Sequence, residues 1–533
     1  MHAGGRWVKM WWDREESFQA GYKRHAARLH YILGAKADGT LHALHSRVYY
    51  DTGAYAHLGG EVMALGMEHA GGPYRIPHAC VEGWCLYTNN PVAGAMRGFG
   101  VAQVSFAFEG MMDILAARLG LDPLEMRRKN ALRAGDRNCA GVLMTTSTGI
   151  GECLDEIAGH PLWKDRAAWK AGAGPLKKRG VGLAAVFNAM GYGRGLPDTA
   201  VAKLEITPAG RIVVYSGVAD MGQGNATAFV QIAGAALNQE EGMIDLVQPD
   251  TERTLPSGSA AASRTTYTYG NALIRACEDM RRRILGRASM FLLVDRLEDL
   301  ELLPGRVRHP ATGREVPLDM LAATLTEPER FCVYQYLMPV VSDPPATGKA
   351  FKIGFPHLLF SYGCHLAFIE ADELTGELAV RDYLAVTEAG RIINPQTSVQ
   401  QVQGAVAQGI GYALFEDLQV AGGIIRTENL GEYIIPSALD LPDIRTAFVE
   451  VYEETGPFGM KGLGEVASNG PLPAIANALA DAGAARIFRS PLTPERVLTA
   501  LRQGTPRLEI KLHDGQAVPG SDPGQMQRGR KQS

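Results

Sequence analysis

Apolar and polar positions fall into distinct periods along this chain. Residues 13–60 alternate in short runs broken by turn residues such as Ala37-Asp38-Gly39-Thr40, which predicts antiparallel strands. From Val101 the period changes. Val101, Val104, Phe108, Met112, Leu115 and Leu119 recur at helical spacing until Gly120 ends the run. Residues 164–180 are mostly polar or small and rich in Lys, Arg and Gly, which predicts a domain boundary. Beyond it, residues 203–206 and 211–215 read as strands joined by the Pro208-Ala-Gly210 turn. Helices follow on the stripes Phe229, Ile232, Ala233, Ala236, Leu237 and Leu273, Ala276, Cys277, Met280, Ile284. Residues 365–386 read as a hairpin around Thr375-Gly376. Val399, Val402, Val406 and Ile410 mark another helix, and a last one starts near Pro473 with Ile475, Ala478, Leu479 and Ala482 in phase. Strands interleaved with helices predict an α+β architecture of layers rather than a repeat array. Residues from about 505 onward are rich in Gly, Pro, Gln and Asp and read as a disordered tail.

Composition narrows the function classes. With 533 residues, 46% of them hydrophobic, the chain can bury large cores in about two to four domains. Lys and Arg number 53 against 57 Asp and Glu, a net charge of -4. That balance argues against a nucleic-acid or membrane-surface protein. No apolar run approaches the roughly 18 residues of a membrane span, and the N-terminus has no apolar leader. The seven cysteines are scattered and describe no disulfide framework, so a reducing cytoplasm is expected. Cys80 and Cys85 have the outer spacing of an iron–sulfur motif, but its third cysteine is absent; core thiols are the simpler reading. His69, His78, His357 and His365 show no metal-ligand spacing.

The candidate chemistry lies in four loops. Each has a glycine cluster, a polar residue and a helix start: Gly94-Ala-Met-Arg97-Gly-Phe99-Gly100, Met221-Gly-Gln223-Gly224, Ser257-Gly-Ser-Ala-Ala-Ala-Ser263-Arg264-Thr265 and Gly459-Met-Lys461-Gly-Leu-Gly464-Glu465. Glycine admits close backbone approach, and helix N-termini favour anions. One such loop is as readily a structural turn; four suggest convergence on one large phosphate-bearing ligand. Glu465 suits a general base, or equally a loop carboxylate or helix cap. Arg97 beside Phe99 suits an anion clamp with an aromatic wall, or a surface Arg beside a core Phe.

Taken together, these loops resemble the molybdenum-binding subunit of the xanthine dehydrogenase and aldehyde oxidase family, over about residues 8–502. The tract from Tyr87 to Gly100 is similar to the family's Arg-Gly-Phe-Gly segment, with separate bacterial xanthine dehydrogenase catalytic subunits the nearest likeness. Met221-Gly-Gln-Gly224 is similar to its pterin-binding segment, Asn394-Pro395 with Gln401-Val-Gln-Gly404 to another cofactor segment, and Gly464-Glu465 to its catalytic glutamate.

The resemblance implies two elongated mixed α/β domains of the molybdenum hydroxylase type with the cofactor at their interface. Residues 1–170 would be the C-terminal part of the first, 178–504 the second, and 505–533 the tail. Arg97, Met221, Gly222, Gln223, Ala262, Ser263, Arg264, Thr265 and Gln401 would hold molybdopterin, as its cytosine dinucleotide. The pterin dithiolene would carry the molybdenum, so no direct protein ligand is expected. Phe99 would stack on a flat substrate, Tyr192 would be a second aromatic, and Glu465 would be the base that activates a water-derived oxygen. [2Fe–2S] and FAD are expected on partner subunits. Two departures bear on function. The family's upstream Gly-Phe-Gly-Gly loop has no counterpart beyond Gly4-Gly5, so the chain is expected to be N-terminally incomplete: another polypeptide supplies that part, the start is misassigned, or the gene is broken. Leu65 stands where purine-hydroxylating members place an Arg. Expected substrates are therefore purine-like (hypoxanthine or xanthine) or other N-heteroaromatic compounds; the alternatives are an aldehyde oxidoreductase of the same fold, an inactive fragment, or an unrelated dinucleotide-binding protein.

Overall fold

The computed structural model describes residues 2–342 and 354–504; the expected tail 505–533 lies outside the described residues. Strands Ala26–Ala35 and Leu41–Gly53 form the predicted antiparallel pair, and Asp38 accepts from the Thr40 N–H in the turn between them. A third strand, His78–Tyr87, adds in parallel to Leu41–Gly53. The all-strand reading of 13–60 fails at both ends. Arg14–Ala20 is a helix, because Asp13 and Glu16 close a reciprocal capping box. Gly59–Glu68 is a second helix. The helix Val101–Leu119 forms between left-handed Gly100 and Gly120. Its fully buried stripe runs Val101, Val104, Phe108, Met112 and Ala116; Leu115 packs only at the edge, since four-residue steps carry the stripe to Ala116.

The central sheet has the order Ile444–Val449, Leu378–Glu388, Phe360–Asp372, Lys177–Ala189. Its first pair is parallel and the others antiparallel, the middle two strands being the predicted hairpin. Both faces are buried. Leu183, Ala185 and Phe187 pack with Phe108 and Met112, whereas Ala184 and Ala367 pack under helices Pro395–Leu414 and Pro471–Asp481. A strand covered on both sides is apolar throughout, which is why 181–187 shows no alternation.

The expected boundary at 164–180 does not separate two cores. Arg166–Ala171 is helical, and Trp169 meets Phe368 edge-on at 4.9 Å. One cluster unites Leu41, Phe108 and Ile157 from before the boundary with Leu183, Tyr362 and Val386 from after it. The polar stretch is a surface connection between elements that share a core.

A further sheet, in the order Phe331–Leu337, Thr199–Ile206, Ile212–Tyr215, Ile244–Val247, packs on helices Asn225–Leu237 and Thr265–Leu292. The strands predicted at 203–215 and the helices predicted around 229–237 and 273–284 are all found here. Among the described residues no helix is long and apolar enough to cross a membrane.

Candidate active site

All four glycine loops line one cavity of about 940 Å³. Each reaches it at the start of a helix or helical turn. Gly100 precedes Val101–Leu119, Gly224 precedes Asn225–Leu237, Arg264 precedes Thr265–Leu292, and Glu465 precedes a short turn that leads into Pro471–Asp481. Phe99, Ala262 and Ser263, none of them glycine, take left-handed backbone conformations with φ of 44°, 53° and 50°. Such conformations are unfavourable for these residue types, and their concentration in this wall marks a shape held against local preference.

Glu465 is the junction of three loops. Its Oε1 accepts the Gly98 N–H at 3.2 Å, and its Oε2 accepts the Ser263 hydroxyl at 3.0 Å. Two glycines permit this. Gly98 has φ +92°, and a Cβ there would lie 2.4 Å from Asn469 Oδ1. A Cβ on Gly462 would fall 1.7 Å from the Ser263 carbonyl, so the loops 459–465 and 257–265 can touch only through glycine. Burial pushes the Glu465 carboxyl above the usual carboxylate range, while Ser263, the Gly98 N–H, Arg97 and His357 act against that shift. Beneath the loop, Lys461 Nζ is fully buried and donates to Glu388 Oε2 at 2.7 Å, the Phe360 carbonyl at 2.8 Å and the Ser147 carbonyl at 3.3 Å. This ion pair anchors 459–465 to the central sheet.

Arg97 ties the same loop to the helix Pro395–Leu414. Its Nε donates to the Gly464 carbonyl at 2.5 Å, and its Nη2 donates to the Gln401 carbonyl at 3.1 Å and Gln401 Oε1 at 3.3 Å. That helix is positioned by Asn394, whose side chain caps the Thr397 N–H, with Pro395 in the first turn. In the loop 221–224, Gln223 is used internally: its Oε1 accepts the Met221 N–H and its Nε2 donates to the Ala219 carbonyl.

The cavity wall contains Leu65, Arg97, Phe99, Tyr192, Met221, Gln223, Ala262, Ser263, Thr265, Gln401 and Glu465. Two of the residues singled out from sequence are placed otherwise. Gly222, with φ +106°, lies in its loop but outside the lining. Arg264 is turned away: its fully buried guanidinium donates to Asp198 Oδ1, the Ser259 carbonyl and the Thr199 carbonyl. A buried cation needs such compensation, so Arg264 braces the loop 257–265 from behind.

Three residues were missed by sequence reasoning. Asp220 accepts from the Gly222, Gly224 and Ala226 N–H groups and so shapes the loop. Burial raises its pKa, but these bonds outweigh that and hold the carboxyl below the usual range. Its sequence signal is an acidic residue just ahead of a glycine-opened helix. The others are Glu68 and His357, joined at 2.7 Å where His357 enters the cavity wall. They are 289 residues apart, and no sequence spacing marks them.

The wall suits a large cofactor that brings its own metal ligands. Its volume matches a ligand-sized cleft, and beside amides and hydroxyls its wall includes Arg97, Arg391, Lys461, His357, Glu61 and Glu465. No trio of metal-ligating side chains is found in it among the described residues. The one such trio, His45, Cys80 and Glu82, lies outside the cavity, and Arg47 also binds Glu82 there at 3.0 Å.

Comparison with known proteins defines the class. Residues 1–131 and 156–442 match two models described as molybdopterin cofactor-binding domains. The chain therefore belongs to the molybdopterin cofactor-binding family that includes the molybdenum-binding subunits of xanthine dehydrogenases. It is 32% identical over 504 residues to the xanthine dehydrogenase molybdenum-binding subunit of Escherichia coli O157:H7, covering 93% of this chain and 65% of that subunit. Among solved structures, the aldehyde oxidoreductase of Desulfovibrio gigas superposes with TM-score 0.79 at 29% identity, covering 92% of this chain and 51% of that one. Quinoline 2-oxidoreductase of Pseudomonas putida 86 gives TM-score 0.81 at 26% identity, covering 92% and 64%. The expected molybdenum hydroxylase fold is thus found. The chain spans 65% of the length of the Escherichia coli relative.

Proposed function

We propose that this chain is the catalytic subunit of a molybdenum hydroxylase that oxidatively hydroxylates a purine-like or other N-heteroaromatic ring, with water as the oxygen source. The observation that carries the proposal is the Glu465 carboxylate, held at the meeting of three loops in a cavity whose wall also contains Phe99 and Leu65. Arg97, Gln401, Met221, Gln223, Ala262, Ser263 and Thr265 would hold the molybdopterin, in its cytosine dinucleotide form. Bound there, the molybdenum centre would supply the two-electron redox chemistry.

The chain's own residues do the rest. Glu465 accepts a proton from the attacking oxygen nucleophile, its raised pKa making it a stronger base than an exposed carboxylate. The Gly98 N–H and the Ser263 hydroxyl fix the direction in which its lone pairs face. Phe99 and Tyr192 offer flat walls to a planar ring, and Leu65 excludes water from its edge. Electrons would leave through [2Fe–2S] and FAD partner subunits. The chain works in the cytoplasm on this reading, consistent with seven free thiols. Apolar Leu65, with the likeness to an aldehyde oxidoreductase, favours an aldehyde as the second substrate reading.

The complex purified with its genomic neighbours tests the proposal: about one molybdenum per chain, with turnover on a panel of purines, quinolines, pyridines and aldehydes. A folded, molybdenum-free preparation would leave an inactive fragment instead. The pH profile is a separate prediction. Glu465 must be ionised to accept a proton, so kcat/KM falls as pH drops through its raised pKa. The acid limb is expected above the ordinary carboxylate range, and a limb at or below about 4.3 would remove Glu465 as the base.

A further inference from the structure

The helix Gly59–Glu68 brings two different side chains to the cavity region. Leu65 lines the wall, and Glu68, one turn on, is completely buried behind it. The Glu68 carboxylate has one visible task. Oε1 accepts the backbone N–H of His357 at 3.0 Å, and Oε2 pairs with His357 Nδ1 at 2.7 Å. Two bonds from one carboxylate to the backbone and ring of one residue fix that ring's position and place its Nδ1 hydrogen toward Glu68. His357 itself is 5% exposed and lines the same cavity as Leu65, Phe99, Tyr192 and Glu465. Its Nε2 has no partner among the described residues, yet it is not a sealed, unsatisfied atom like both ring nitrogens of His25 or Nε2 of His365. His357 is also near enough to Glu465 to favour its ionised form. A buried carboxylate set behind a ring that opens on a cavity is well arranged to compensate an imidazolium.

We propose that His357, backed by Glu68, is a specificity-determining residue that donates from Nε2 to an oxygen acceptor on the substrate. The substrate class is then a planar heteroaromatic ring bearing a carboxylate or ring-carbonyl oxygen. Leu65 and Phe99 supply the apolar contacts, and the dyad supplies the polar one. This refines the substrate reading above and rests on it for the identity of the cavity. A hydrogen bond to a charged group such as a carboxylate contributes about 1.5–3 kcal/mol, or about 10- to 100-fold in affinity.

The test is equilibrium binding to the purified complex, by calorimetry, of pyridine-3-carboxylate against 3-methylpyridine, ligands of similar shape with and without the acceptor. The wild type is expected to prefer the carboxylate at least about 10-fold. His357→Ala is expected to abolish the preference while 3-methylpyridine binding stays within about two-fold. If that variant fails to fold, Glu68→Gln decides. It keeps the side-chain shape, removes the compensating charge, and is expected to cut the preference several-fold with molybdenum content unchanged. Equal wild-type affinity for the two ligands, or an undiminished preference in either folded variant, overturns the proposal. Molybdenum content and turnover, measured on the same preparations, report separately on the hydroxylase reading. Their absence would remove the reaction but leave the binding comparison intact.

Discussion

Glu465→Gln is expected to lower turnover by about 10²- to 10⁴-fold, the usual contribution of a positioned general base. The amide retains the carboxylate's shape: its Oε1 can still accept the Gly98 N–H, and its Nε2 can donate to the Ser263 hydroxyl oxygen, the two groups that hold the native side chain at 3.2 and 3.0 Å. The three-loop junction therefore survives, and molybdenum per chain should match the wild type. What disappears is the ability to take a proton, because an amide has no basic lone pair near neutral pH. Single-turnover rates on a responsive substrate, with metal analysis on the same sample, check this. Activity within about ten-fold of the wild type at equal molybdenum would assign the base elsewhere.

The largest stability effect is expected from Arg127→Ala. Arg127 is fully buried. Its Nε donates to Glu109 Oε2 at 2.8 Å, its Nη1 to the Pro123 carbonyl at 2.9 Å, and its Nη2 to the Glu109 and Leu183 carbonyls at 3.3 and 3.1 Å. It thereby ties the helices Val101–Leu119 and Pro123–Asn130 to the strand Lys177–Ala189 of the central sheet. Burial pushes the Glu109 carboxyl up; Arg127, the Tyr74 hydroxyl and the Ala185 N–H oppose it. Removing the guanidinium leaves the buried Glu109 carboxylate without its counter-charge and takes from Asp113 its 2.8 Å partner, a cost of about 3–5 kcal/mol. A markedly lower urea midpoint for Arg127→Ala is the expected readout. The double variant Arg127→Met with Glu109→Gln should recover much of the loss, since it removes the fully buried carboxylate along with its partner and leaves Asp113 with Arg486 at 4.0 Å.

The sequence showed a large part of the fold because the periods are local. The helices at 101–119, 225–237, 265–292, 395–414 and 471–481 follow from apolar spacing, and the 378–388 strand with its partner follows from a glycine turn. It failed at 14–20, where a capping box overrode an alternating pattern, and at 164–180 it did not show that the elements on either side share one core. In the site, the residue types of the four loops showed that backbone approach to a ligand was at stake. They did not show which side chains face it. Arg264 and Ser263 are neighbours in sequence, yet one braces the loop from behind and the other holds Glu465.

By itself, the sequence determined the layered α+β architecture and the four glycine-rich loops at helix or turn starts, because propensity and turn chemistry act over a few residues; Glu465 stood out through its likeness to the family's catalytic glutamate. The tertiary structure alone decided what the loops do together. It set Glu465 between Gly98 and Ser263, on loops 367 and 202 residues away in the chain, and placed His357 on Glu68, 289 residues away. Such contacts depend on how sheets and helices pack against one another, and no local pattern encodes that register.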